Sequence, residues 1–97
     1  MLITKTKAGP NPYVALTGCA ITFGEAEKVL AAIAKCSNED VLAVNDTAYA
    51  LKTVITGNVV NVLVYSASTV GVGPNAWSEL AAGNMASLTF TVIADCE

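Results

Sequence analysis

The sequence contains no histidine, no arginine and no glutamine, and its only cationic side chains are five lysines. A histidine-based catalytic triad, a histidine-bearing zinc site and an arginine clamp on phosphate are thereby excluded. Charge of either sign is scarce: 13% of residues are charged and 54% are hydrophobic, whereas soluble domains ordinarily carry about 25% charged residues. A disordered polyelectrolyte does not have this composition. With a net charge of −3, nucleic acid and anionic membranes are not expected as partners, because such binding rests on clustered Lys or Arg. At 97 residues the chain has room for one hydrophobic core.

Uninterrupted apolar runs are also missing. Met1–Lys7 is followed at once by Gly9-Pro10-Asn11-Pro12, so no secretory signal is expected. The longest uncharged stretch, Thr53 to Ser78, is broken by Gly57, Asn58, Asn61, Gly71, Gly73, Pro74 and Asn75, which argues against a membrane helix. Cys19, Cys36 and Cys96 are odd in number, far apart and set among apolar residues. They read as reduced, buried thiols, with a Cys19–Cys36 or Cys36–Cys96 bridge as the alternative. No Cys-x-x-Cys spacing supports a metal site.

What the chain does have is β pattern. Tyr49–Thr56 and Val59–Tyr65 are two β-rich runs split by Gly57-Asn58, the signature of a hairpin. A primed turn there sets Thr56 opposite Val59, Ile55 opposite Val60, Thr53 opposite Val62 and Leu51 opposite Val64. One side of the ribbon then collects Leu51, Ile55, Val60, Val62 and Val64, and a one-residue slip would mix these with Lys52 and Asn61. The other side carries Val54, Val59, Leu63 and Tyr65, more apolar than a solvated sheet face, and calls for a cover. Ser87–Asp95 alternates, with Leu88, Phe90, Val92 and Ala94 against Thr89, Thr91, Ile93 and Asp95, as a half-buried strand does. Tyr13–Thr17 and Cys19–Phe23, separated by Gly18, read as further short strands or as one strand broken by a bulge, and Asp40–Val44 reads as another short strand.

Gly24–Lys35 has helix formers, early acids, a late lysine and Thr22-x-x-Glu25 as a capping box. We read it as a short helix near 25–35, with a strand over Val29–Lys35 as the competing reading. Ser66–Ala86 reads as a long connection in which Trp77–Ala82 forms one helical turn. The expected architecture is mainly β: one small antiparallel β-sandwich, Ig-like or jelly-roll-like, over residues 13–97, preceded by an extended arm over 1–12, where Pro10 and Pro12 block regular pairing.

No catalytic residue is nominated, because no paired acid and base is set in an environment that would tune it. Asn38-Glu39-Asp40 and Asn45-Asp46 are oxygen-rich enough for calcium but are simpler as solvated turns. Asn45-Asp46-Thr47 fits a glycosylation acceptor, and Gly71-Val-Gly73 is a turn without the residues of a phosphate loop. No cofactor or metal is expected. Trp77, the single tryptophan, is either an interface anchor or a plug at one end of the core.

Asn75-Ala-Trp-Ser-Glu-Leu-Ala-Ala-Gly83 leading into Ser87-Leu-Thr-Phe-Thr-Val92, after a valine-rich hairpin, resembles the C-terminal half of small β-sandwich virion proteins of tailed bacteriophages, closest in type to capsid decoration or cement proteins. The resemblance spans about Tyr49 to Asp95. It implies a non-enzymatic subunit made in the host cytoplasm and carried on the capsid exterior, stabilising joints between major coat subunits and clustering with itself as trimers or dimers. The candidate contacts are Trp77, the hairpin's second side with Val59, Leu63 and Tyr65, and Ile3 and Tyr13 near the N-terminus. Two other classes fit the same composition: a self-polymerising tail-tube, filament or pilus-like subunit, and a small calcium- or carbohydrate-binding module.

Overall fold

A computed structural model describes residues 1–37, 47–68 and 77–97, and these residues are mainly β with no helix. The strands are β1 (Leu2–Ala8), β2 (Cys19–Thr22), β3 (Val29–Cys36), β4 (Thr47–Thr56), β5 (Val59–Ser68), β6 (Ser78–Glu79) and β7 (Thr89–Cys96). They form two antiparallel sheets, ordered β1–β7–β3 and β2–β5–β4, with β6 also on β5. The sheets pack as the small sandwich that the strand pattern predicts.

The β4–β5 hairpin has the register fixed by its alternation, with Leu51 opposite Val64, Thr53 opposite Val62 and Thr56 opposite Val59. Its turn places the positive φ (60°) at Gly57 and not at Asn58, the pattern of a II′ turn with glycine at its first central position. The inward faces of β5 (Val60, Val62, Val64) and β7 (Phe90, Val92, Ala94) are fully buried, and Ile21, Phe23 and Leu88 complete the core.

The segment expected as a helix is a turn followed by β3. Ala26 N–H donates to the Phe23 carbonyl, and the chain then pairs with β7 from Val29 to Cys36. The competing strand reading is therefore the one observed. Pairing along β7 satisfies the backbone of residues 29–36 and overrides their helix propensity. A bulge between Val29 and Ala31 turns Val29 inward and reverses the simple alternation. Small Ala32 and Ala34 then face the interior, while Ile33 points outward and is 68% exposed.

Residues 2–8, read as part of an extended arm over 1–12, form an edge strand of the sandwich, paired with β7 from Leu2 to Ala8. Lys5 and Lys7 lie on the inward side of this edge. Lys5 Nζ reaches Glu25 at 3.1 Å and lies 5.8 Å from the Phe23 ring centroid; Lys7 Nζ donates to the Ala20 carbonyl at 2.7 Å. Charges directed inward at a sheet edge obstruct addition of a foreign strand. At the opposite seam Thr53 Oγ1 donates to the Ala32 carbonyl at 3.4 Å.

Two further expectations change. Tyr13–Thr17 is a turn, not a strand: Thr17 and Gly18 N–H groups both donate to the Val14 carbonyl, and Leu16 takes a left-handed φ of 69°. Trp77–Ala82 contains β6 in place of a helical turn. The readings placed on Asp40–Val44, on the turns of Asn38–Asp40 and Asn45-Asp46 with their glycosylation pattern, and on Gly71-Val-Gly73 lie outside the described residues. Cys19, Cys36 and Cys96 are buried thiols with no disulfide between them. Cys36 faces Phe90 while Cys96 faces Val29, at opposite ends of one strand pair, so the proposed Cys36–Cys96 bridge has no geometry to form.

Candidate functional site

The hairpin's second side is the outer face of the β2–β5–β4 sheet, where Tyr65 stands beside Ala50, Leu63 beside Lys52, Asn61 beside Val54 and Val59 beside Thr56. It does have a cover, supplied partly by the same chain. The turn at residues 14–18 lies over Leu63, which is buried, and Asn61 Nδ2 donates to the Thr17 carbonyl at 2.8 Å. Gly18 makes the close approach: its φ is 54°, and a Cβ there would collide with the Val62 carbonyl.

The cover stops short of Tyr65. There Ala50, Leu51, Lys52, Tyr65 and Trp77 line an open cleft of about 260 Å³. Lys52 Nζ lies 5.9 Å from the Tyr65 ring centroid, within cation–π range. Trp77 is 51% exposed. The cleft thus combines two aromatic side chains, aliphatic carbon and one cation. Among the described lining residues the ionisable side chains are Lys52 and Tyr65, with no carboxylate, an arrangement suited to holding an apolar or aromatic group next to a negative one.

A polar network that runs from the buried Val64 N–H out to the exposed Leu16 N–H fixes the rim. On its side away from β4, β5 pairs with β2 over Val59–Val62 and with β6 at Tyr65 and Ser66. Between them the Val64 N–H donates to the Tyr13 hydroxyl at 2.9 Å, which in turn donates to Glu79 Oε2 at 2.6 Å. Glu79 Oε2 also accepts the Leu16 N–H at 2.8 Å. Tyr13 therefore fills a gap in the sheet ladder. Burial, together with the bond to Glu79, pushes its hydroxyl above the ordinary tyrosine range. The same tie brings the turn with exposed Val14 and Leu16 to within two residues of Trp77 along the chain. Burial also raises the Cys19 thiol, against a smaller opposing effect of Lys7, which disfavours the thiolate that nucleophilic chemistry needs.

Of the nominated residues, the fold brings Tyr65 and Trp77 together. Leu63 is adjacent but lies beneath the 14–18 turn, Val59 is half-buried at the hairpin's turn end, and Tyr13 is buried in the core. Ile3 packs against the core from the other sheet. The sequence reading missed Val14, Leu16 and Glu79. The first two were hidden by reading a strand where a turn exists, and Glu79 by reading a helical turn. Lys52 was legible on the correct face but was not nominated. Among the described residues no group of three or more His, Cys, Asp or Glu side chains is placed to hold a metal, and no helix is long and apolar enough to cross a membrane. No protein-family model, no curated protein and no solved structure matches this chain.

Proposed function

We propose that this chain is a non-enzymatic structural subunit of a viral particle, of the capsid decoration type, attached to the outer surface of a coat and strengthening joints between coat subunits. The observation that carries this reading is the Trp77 cleft. A half-exposed tryptophan beside Tyr65 and Lys52 is an unusual surface for a chain so poor in charge. Large aromatic side chains in partly enclosed sites are the usual anchors of protein interfaces, and exposed apolar patches mark partner sites. The phage-like texture of residues 49–95 supports the same assignment, and Lys52 favours an acidic side chain on the coat partner.

Trp77→Ala tests it. The side chain is exposed, so the variant is expected to keep its fold while its affinity for particles falls by about 30-fold, the equivalent of a 2 kcal/mol hot spot. Quantitative co-sedimentation with particles, alongside thermal melting of the free subunit, measures both effects. Saturation of particles at the wild-type concentration would remove Trp77 from the contact and with it the basis of this reading. A carbohydrate-binding module is the second reading, favoured by the two aromatic walls of the cleft; saturable glycan binding that Trp77→Ala abolishes would establish it in place of the first.

A further inference from the structure

The face opposite the cleft is the outer surface of the β1–β7–β3 sheet. Alternation and register lay out the outer surface of the β1–β7–β3 sheet in rows across the strands. Leu2, Asp95 and Ala31 form one row; Thr4, Ile93 and Ile33 the next; Thr6, Thr91 and Lys35 the third. The central row carries two isoleucines, Ile33 at 68% and Ile93 at 37% exposure. Bulged Leu30 extends the apolar surface at one end. β3 points alanines inward and isoleucine outward, the reverse of what a solitary sandwich requires.

The charges on this face are arranged about that row. Asp95 lies two residues to one side on β7, and Lys35 lies two residues to the other on β3. A two-fold axis lying in the face and crossing between Ile93 and Ile33 exchanges these positions. Each Lys35 then meets the partner's Asp95, with the isoleucines of both copies packed between the two ion pairs. Such an isologous contact is what a self-complementary patch produces. Within a single copy Asp95 already pairs with the Met1 amino group, 3.2 Å from Oδ1; both groups are exposed, so the second copy's Lys35 joins that pair at the same carboxylate.

We propose that the outer face of the β1–β7–β3 sheet is a homodimer interface, pairing two copies through Ile33 and Ile93 with reciprocal Lys35–Asp95 contacts. The proposal does not depend on particle binding. Three strands about 4.8 Å apart and seven residues of about 3.3 Å each give a footprint on the order of 300 Å² per copy. That lies below a standard interface of about 800 Å² per partner, so dimerisation belongs in the micromolar range or weaker.

Sedimentation equilibrium of the full chain from about 10 to 1,000 μM should show a monomer–dimer equilibrium. Ile33→Lys is expected to raise its dissociation constant at least about tenfold. Lys35→Glu and Asp95→Lys should each weaken pairing, and the two combined in one chain should restore it. A wild-type monomer throughout this range, or a dimer that Ile33→Lys leaves intact, overturns the interface. Loss in both charge variants without recovery in the double variant overturns the axis. Particle binding that survives alongside a failed dimer leaves the cleft reading standing, so the two assignments fail separately.

Discussion

At the scale of single residues, Tyr13 and Trp77 illustrate how two aromatics of similar appearance in the sequence take opposite roles. Both were nominated as contacts, yet Tyr13 is buried and completes a ladder, while Trp77 is exposed. Nothing local to Tyr13 reveals this, because its partners Val64 and Glu79 lie 51 and 66 residues away. Tyr13→Phe keeps the ring and removes the hydroxyl, leaving the buried Val64 N–H without its acceptor. The expected loss is about 1–3 kcal/mol at neutral pH, read as a lower urea midpoint. The pH dependence has a definite sign. The folded chain holds the Tyr13 proton more tightly than the unfolded one, so this stabilisation is complete below about pH 10, the ordinary tyrosine value. It is lost as pH rises from there through the folded-state value. Urea midpoints measured across this interval should fall more steeply for the wild type than for Tyr13→Phe; parallel curves would show that Tyr13 does not govern the alkaline limit.

At the scale of elements, legibility followed the source of each strand's partner. The facing of the β4–β5 hairpin and of β7, and the hairpin's register, were readable from strict alternation and from Gly57-Asn58, whereas their ends were not: β4 starts at Thr47, β5 runs on to Ser68 and β7 spans Thr89–Cys96. β3 was ambiguous because its fate is decided by β7, some 60 residues later in the chain, and by a bulge that sequence alternation cannot announce. β1 was obscured by Pro10 and Pro12, which end the strand without preventing it. The cover over Leu63 was inferred as a need but not as the 14–18 turn. That turn depends on Gly18, which combines positive φ with contact against the Val62 carbonyl. Gly18→Ala is therefore expected to cost about 2 kcal/mol or more, from left-handed strain together with overpacking. Hydrogen exchange should report it locally, with faster exchange at Gly18 and the Leu16 amide, which bonds Glu79, than at the amides of β7. Uniform loss of protection would place the effect in the global fold instead.

At the scale of the whole molecule, the shortage of charge has two structural consequences on opposite faces. The outer side of the β2–β5–β4 sheet leaves the Trp77 cleft open, and that of the β1–β7–β3 sheet exposes Ile33 and Ile93. Because the two surfaces belong to different sheets, occupation of one does not obstruct the other. A dimer formed through the second face carries two outward clefts and grips a particle twice where two coat sites lie within its span. The second attachment is then intramolecular, and weak individual contacts combine into strong retention. Ile33→Lys should consequently reduce retention on particles by about tenfold or more, although the residue is remote from the cleft, and should leave the affinity of an isolated coat subunit unchanged. Trp77→Ala should reduce both while sparing the dimer. Washing loaded particles over time, in parallel with titration of soluble coat subunit, separates these outcomes. Equal retention of wild type and Ile33→Lys would mean that each copy binds the particle alone.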